Sequence, residues 1–194
     1  MSLKERTAKG VMWNGIDSVA LNIIRFGTAI VLSRILDPDH FGLIALLAIF
    51  IALSETLMSG GFVTALVRKD KVNNIDYSTV FIFNIVFSFL LYASIFFGSP
   101  YIASYFEEPE LNIIAKLVGL VILFHSFSIV QQITLRRSLN FKSLSIANIS
   151  STVLSSFTAI VMAVNGFGVW SLVVQNISKA FFFSVFLWFA GTWK

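Results

Sequence analysis

Six long hydrophobic stretches, separated by short polar connections, dominate the pattern of this 194-residue chain. A bilayer core about 30 Å thick needs roughly 20 apolar residues per crossing helix, and each stretch is long enough. The pattern predicts an all-α membrane protein with spans at about residues 11–36, 41–67, 78–98, 111–135, 144–164 and 167–192. We expect Pro38 to fix the first turn and Pro100 to end the third helix, so that no proline falls inside a span.

Charge in the connections alternates along the chain. Ten basic residues fall on one side of the predicted bundle: Lys4, Arg6, Lys9, Arg68, Lys69, Lys71, Arg136, Arg137, Lys142 and Lys194. The other side has two basic residues, Arg34 and Lys116, beside the acidic Asp37, Asp39, Glu107, Glu108 and Glu110. Because basic connections stay in the cytoplasm, this asymmetry predicts a multi-pass protein with both termini cytoplasmic.

Composition narrows the function classes. Charged residues make up 12% of the chain against 57% hydrophobic ones, and the mean hydropathy is +0.85. The net charge of +4 comes from short connections rather than one surface, so we expect no nucleic-acid partner. No phosphate-binding loop, metal-ligand spacing or nucleophile with a base partner is evident, which predicts no enzyme, no metal and no cofactor.

Polar residues inside the spans are the candidate chemistry, because they are costly in lipid and face protein or water. At helical spacing, one stripe of the first span carries Asn14, Asp17, Ser18, Arg25 and Thr28, with Asn22 at its edge. A stripe of this kind lines an aqueous cavity or joins helices together, and we favour the cavity. Asp17 and Arg25 are separated by about 12 Å of helical rise, too far for a direct bond.

Other spans add isolated polar groups. The sixth span carries Ser171, Gln175, Ser178 and Lys179 on one face. Glu55 in the second span either titrates or binds a cation, or pairs with a basic residue on a neighbouring helix. For His125 a packing role is favoured over a proton relay, and Asn84, Gln131, Gln132 and Asn148 are expected to form interhelical hydrogen bonds. The predicted substrate pathway comprises Asn14, Asp17, Arg25, Gln175 and Lys179, with Glu55 and Asp17 as possible ion-coupling groups.

Several short motifs resemble one known family. Residues 34–43 (RILDPDHFGL) resemble the signature A-R-L-L-x-P-x-x-F-G-L of bacterial polysaccharide and O-antigen flippases, in the multidrug/oligosaccharidyl-lipid/polysaccharide export superfamily. Five further stretches are similar to its colanic-acid-exporter-like branch, in the expected order: 60–66 (GGFVTAL), 76–81 (DYSTVF), 105–111 (YFEEPEL), 137–142 (RSLNFK) and 166–172 (GFGVWSL).

The resemblance implies a fold and a function. Such proteins flip undecaprenyl-diphosphate-linked oligosaccharides across the bacterial inner membrane by alternating access between two six-helix lobes, beside the polysaccharide polymerase machinery. Arg25 and Lys179 are our candidates for holding the diphosphate, on the ground of their position and charge alone. The implied fold is one six-helix lobe, residues 1–194, of a two-lobed transporter similar to multidrug exporters.

The chain departs from that pattern in its number of spans, since family members usually carry twelve or more. We therefore expect the N-terminal half of a longer protein, or a half-transporter that pairs with a second lobe or a second copy. The alternatives are a multidrug or peptidoglycan-precursor exporter, a non-transporting orphan lobe, and a membrane glycosyltransferase. The last should carry acidic metal-binding clusters on the cytoplasmic side, whereas Glu107, Glu108 and Glu110 fall on the other side.

Overall fold

The computed structural model describes residues 3–60, 64–66, 69, 71–191 and 193, with side chains for residue 10 and from residue 12 onward in those ranges. Regular structure in this part of the chain is entirely helical. The helices are α1 (Leu3–Ser33), α2 (Pro38–Ser59), α3 (Asn74–Tyr105), α4 (Leu111–Val118), α5 (Leu120–Arg137), α6 (Phe141–Val164) and α7 (Val169–Ala190).

Six helical segments in the described ranges are long and apolar enough to cross a membrane, which confirms the predicted number. Helices α4 and α5 together form one of them, Leu111–Arg137. Gly119 separates the two while keeping helical torsion angles, φ −56° and ψ −25°. A Cβ atom at this position would lie 3.1 Å from the Tyr92 ring of α3, so the glycine permits a close helix approach.

The connection between α1 and α2 forms as the sequence predicts. Asp37 has extended torsion angles, φ −69° and ψ 149°, and Pro38 occupies the first turn of α2. Proline is tolerated there because the first helical N–H groups have no partner within the helix, and it biases the preceding residue towards extended backbone.

The predicted end of the third span at Gly98 is wrong, because α3 continues through Pro100 to Tyr105. Proline has no N–H group, so it leaves the carbonyl of Phe96, four residues earlier, without its helical partner. The Ser99 hydroxyl donates to this carbonyl at 2.8 Å, and it also lies 2.8 Å from the side-chain oxygen of Asn112. A neighbouring serine thus supplies the hydrogen bond that proline removes, and the helix persists.

Helix α1 is attached to the bundle mainly through α6, whereas α5 packs between α3 and α7 and α6 packs along α7. Near its C-terminal end, α1 also meets α2 and α7, where Leu32, together with Leu36 of the connection that follows, packs with Phe41, Ile44 and Leu172. Towards its N-terminal half, most side chains of α1 are exposed. One side of α1 is therefore open along much of the helix.

Contacts between connections show which of them share an end of the bundle. The Arg137 guanidinium donates to the backbone carbonyls of Leu66 and Lys69, at 2.8 and 2.7 Å, which joins the second and fourth connections. At the opposite end, His40 lies against Gly168, so the first and last connections meet. The side chains of Lys4, Arg6 and Lys9, and all of Arg68 and Lys194, lie outside the described residues. The described basic and acidic connections occupy opposite ends.

Single cysteines test the orientation, since the chain has none of its own. Lys71 and Glu108 are exposed in connections at opposite ends. We expect Glu108→Cys to react with a membrane-impermeant maleimide in intact cells, and Lys71→Cys to react only after permeabilisation. The reverse labelling pattern would invert the topology, and the cysteine-free chain is the background control.

Candidate functional site

An inner cavity of about 230 Å³ lies between α2, α5, α6 and α7. Apolar side chains form part of its wall, including Ile51, Val121 and Phe183. Its polar lining residues come from all four helices: Glu55, His125, Ser128, Asn148, Asn176 and Lys179. A cavity with this many polar groups differs from a dry packing void, because the groups that lack a protein partner need water or a ligand.

A second cavity, of about 290 Å³, lies between α1, α2 and α7. Its polar wall consists of Arg25 and Thr28 from α1 together with Gln175 and Asn176 from α7. Asn176 lines both cavities, so the two are neighbours across α7. We refer to the pair of cavities, with Asp17 beside them, as the cleft.

Asp17 is half-buried and points towards α6. The side-chain amide of Asn148 donates to one carboxylate oxygen of Asp17 at 3.2 Å. The other carboxylate oxygen is buried and has no hydrogen-bond partner among the described residues. This bond fixes part of the polar stripe of α1 against the bundle.

Four charges converge on the cleft. Arg25 and Lys179 lie close enough for their positive charges to act on Asp17, and the charges of Arg25, Glu55 and Asp17 act on Lys179. The four side chains come from α1, α2 and α7. Among the described residues, Lys69–Asp76 is the ion pair whose nitrogen and oxygen atoms lie within 4 Å of each other. None of the four charges of the cleft is therefore held in a direct ion pair in this part of the chain.

The structure brings most of the predicted pathway residues together. Arg25 and Gln175 line one cavity, Glu55 and Lys179 line the other, and Asp17 lies within range of both cations. Asn14 is exposed and lies outside both cavities. Its backbone carbonyl accepts a hydrogen bond from Ser18. The roles assigned to these residues remain predictions.

His125 is the residue whose position the sequence did not reveal. Its Nδ1 atom is buried without a hydrogen-bond partner in the described part of the chain, and its ring lines the inner cavity. The charge of Glu55 acts on this ring across the cavity. A buried ring nitrogen without a partner among the described side chains is available to water or a ligand in the cavity, so the ring is positioned for more than packing, and its role stays a prediction. The pattern of one helix cannot show that a neighbouring helix brings a carboxylate to face it.

One of the four expected interhelical hydrogen bonds forms among the described residues, between Asn148 of α6 and Asp17 of α1. Gln131 donates at 2.8 Å to the backbone carbonyl of Trp193, which lies beyond the end of α7. The prediction is wrong for Asn84 and Gln132, which donate within their own helices, to the Val80 carbonyl and the Ser128 hydroxyl. Intrahelical partners four residues away compete with distant ones, because both remove a donor from lipid.

Metal binding has no geometric support in the described ranges, where no three histidine, aspartate or glutamate side chains converge as ligands. The cleft instead presents two cations and two carboxylates, together with amide side chains. Arrangements of this kind bind small anions and protons.

Comparison with known proteins identifies the family of the chain. A family model described as polysaccharide biosynthesis protein matches residues 31–194. The chain belongs to the polysaccharide biosynthesis protein family. This membership confirms the family resemblance that the short motifs indicate.

Curated relatives of this family are distant but cover most of the chain. The lipopolysaccharide biosynthesis protein WzxC of Escherichia coli is 24% identical over 177 residues, covering 91% of this chain and 35% of the relative. The succinoglycan biosynthesis transport protein ExoT of Rhizobium meliloti is 25% identical, covering 89% and 35%. The teichuronic acid biosynthesis protein TuaB of Bacillus subtilis is 23% identical, covering 79% and 32%. The chain therefore spans about a third of the length of these relatives, and no solved structure matches it.

The Asn148–Asp17 bond predicts a measurable contribution to stability. Asn148→Leu should lower the unfolding free energy in detergent by about 0.6 kcal/mol, because interhelical hydrogen bonds in membranes average that size. Asp17→Asn should cost less, since the new amide oxygen still accepts the bond. Asn22→Leu, at an exposed position of α1, is the matched control and should change stability little. Equal stabilities of the Asn148→Leu and Asn22→Leu variants would contradict this contribution.

Proposed function

We propose that the chain takes part in flipping an undecaprenyl-diphosphate-linked oligosaccharide from the cytoplasmic to the outer leaflet of the bacterial inner membrane. Membership of the polysaccharide biosynthesis protein family and the names of its relatives support the substrate class. The single observation that carries the proposal is the cleft, where Arg25 and Lys179 face intramembrane cavities without direct ion pairs among the described residues.

The cleft suits a diphosphate for chemical reasons. A cation inside a membrane is expensive unless water, a counter-ion or a ligand surrounds it. Arg25 offers a guanidinium that binds phosphate oxygens in pairs, and Lys179 offers a compact ammonium four residues beyond Gln175. Gln175 and Asn176 add amide donors between the two cations. A diphosphate is small enough to be held by these groups while its lipid and sugar portions extend out of the cleft.

The open side of α1 favours an access route rather than a closed pocket. Arg25 is exposed, whereas Thr28, one turn further along α1, is buried. The polar stripe of α1 thus lies at the border between the packed and open sides of the helix. We propose that Asn14, at the same border near the N-terminal end, lines the approach to the cleft.

Alternating access requires a second unit for this one to move against. We propose that the six helices act as one lobe of a transporter similar to multidrug exporters, with the other lobe supplied by a further six-helix unit or a second copy of the chain. In this proposal both termini lie in the cytoplasm, and the polysaccharide polymerase machinery is the expected consumer of the flipped product. In this role the chain is not an enzyme and uses no cofactor. Asp17 and Glu55 are the proposed ion-coupling carboxylates.

Substitution of the two cations tests the proposal. Arg25→Ala and Lys179→Ala should each weaken binding of geranylgeranyl diphosphate to the chain in lipid nanodiscs by about 10- to 150-fold, because a charged hydrogen bond contributes about 1.5–3 kcal/mol. In the source bacterium, the same changes should reduce surface polysaccharide.

Lys116→Ala provides the matched control. It removes the same charge from a lysine that lies over the Phe96 ring, outside both cavities, and should leave diphosphate affinity and export unchanged. Geranylgeraniol, which lacks the diphosphate, measures partition of the lipid tail alone. Wild-type binding and export in both cleft variants would refute the assignment.

A further inference from the structure

The charges of the cleft are balanced. Arg25 and Lys179 contribute two positive charges, and Asp17 and Glu55 contribute two negative ones. With His125 neutral, the ionised cluster therefore has no net charge. The cluster differs in this respect from a purely basic cavity, which would gain from every anion that enters.

A diphosphate that enters this balanced cluster brings an excess of negative charge into a region of low dielectric constant. Unbalanced charge is expensive there, and proteins commonly offset it by a change of protonation. The two carboxylates already offset the cations electrostatically, without a direct ion pair among the described residues. Binding is therefore favoured most if a group beside the anion takes up a proton.

His125 is the group best suited to accept that proton. Histidine is the side chain whose ordinary titration falls between pH 5 and 8. Its buried Nδ1 has no described partner, and the ring faces the same cavity as Lys179 and Glu55. Burial of the ring and the charge of Arg136 oppose a positive ring, whereas the charge of Glu55 stabilises it.

Charged groups on the other helices do not alter this arrangement. Helix α6 faces the cavity with the uncharged Asn148, and its Lys142 lies over Trp13 at the end of the bundle. Asp76 of α3 is paired with Lys69, and Lys116 of α4 lies over Phe96. On α1, Asp17 and Arg25 act on Lys179 from the neighbouring side of the cleft.

We propose that a diphosphate bound between Arg25 and Lys179 is accompanied by a proton taken from water onto the His125 ring. This inference rests on the anion site of the proposed function and adds a second ligand to it. Anion and proton then occupy the chain together, so that each strengthens the binding of the other. The coupling between anion binding and proton binding is therefore positive. In an exchanger where a proton and a cationic substrate compete for one carboxylate, this coupling is negative.

Calorimetry measures this linkage directly. Geranylgeranyl diphosphate is titrated at pH 7.5 into the chain in lipid nanodiscs, in two buffers with different ionisation enthalpies, which yields the protons taken up per ligand. We expect uptake of about one proton, and an affinity that rises by up to about tenfold per unit fall in pH. Inorganic diphosphate should show the same uptake with weaker binding, and geranylgeraniol should show none.

Variants locate the proton. His125→Gln should abolish most of the uptake while retaining diphosphate binding at pH 8.5, where the wild-type ring is least protonated. His40→Gln is the matched control, since it removes the other histidine of the chain, at the far end of α2, and should keep wild-type uptake. Glu55→Gln removes one opposing negative charge and should bind diphosphate more tightly at pH 8.5. If the His125→Gln variant fails to fold, the Glu55→Gln variant still tests the charge argument.

Each outcome decides between the two proposals. Wild-type binding without proton uptake would overturn this inference and leave the anion site intact. Full uptake in His125→Gln would overturn the assignment to His125, because the proton would then reside on the ligand or a carboxylate. Weaker binding in Glu55→Gln at pH 8.5 would contradict the charge argument. Absence of diphosphate binding at every pH would refute the anion site of the proposed function and this inference with it.

Discussion

The scarcity of water inside a bilayer is the constraint on which this structure depends. Backbone groups satisfy it by forming helices, but charged and amide side chains must find partners across helices or in a shared cavity. Asp17, Glu55, His125 and Lys179 come from four different helices, and all belong to one cleft or its border. The same physical cost that excludes such groups from lipid therefore concentrates them where a polar ligand can reach them.

The cleft remains open on one side because α1 packs against fewer helices than the rest of the bundle does. Helices α5, α6 and α7 form the closely packed part of the bundle, whereas α1 is attached mainly through α6. The Asn148–Asp17 bond ties the polar stripe of α1 to that part, and apolar contacts of Leu32 and Leu36 hold its far end. Arg25 lies between these two attachments, on a stretch of α1 that remains exposed. A cation on a partly attached helix can contact a ligand that is too large to enter a closed cavity.

Sequence patterns predicted the helices more successfully than the contacts between them. Hydrophobic length and loop charge indicate six helices, because both reflect transfer of single segments into lipid. The predicted end of the third helix at Pro100 was wrong. Proline ends a helix when the carbonyl four residues earlier stays unpaired, whereas here the Ser99 hydroxyl donates a hydrogen bond to that carbonyl. The interhelical hydrogen bonds predicted for Asn84 and Gln132 do not form, because both side chains donate to acceptors four residues earlier in their own helices. The position of His125 opposite Glu55 was not predicted, because Glu55 belongs to another helix.

The arrangement of charge also distinguishes this cleft from a general anion-binding surface. Had Arg25 and Lys179 stood alone, the cleft would attract any anion, including free phosphate and lipid headgroups, at all pH values. Asp17 and Glu55 offset that attraction, so a ligand must replace the interactions that the carboxylates provide. Monovalent anions gain little from such an exchange, whereas the diphosphate of the proposed substrate would gain from both cations together. Under the proposed function, balanced charge therefore favours a multivalent headgroup, and it would make the affinity sensitive to the protonation of the side chain that lies beside the cations.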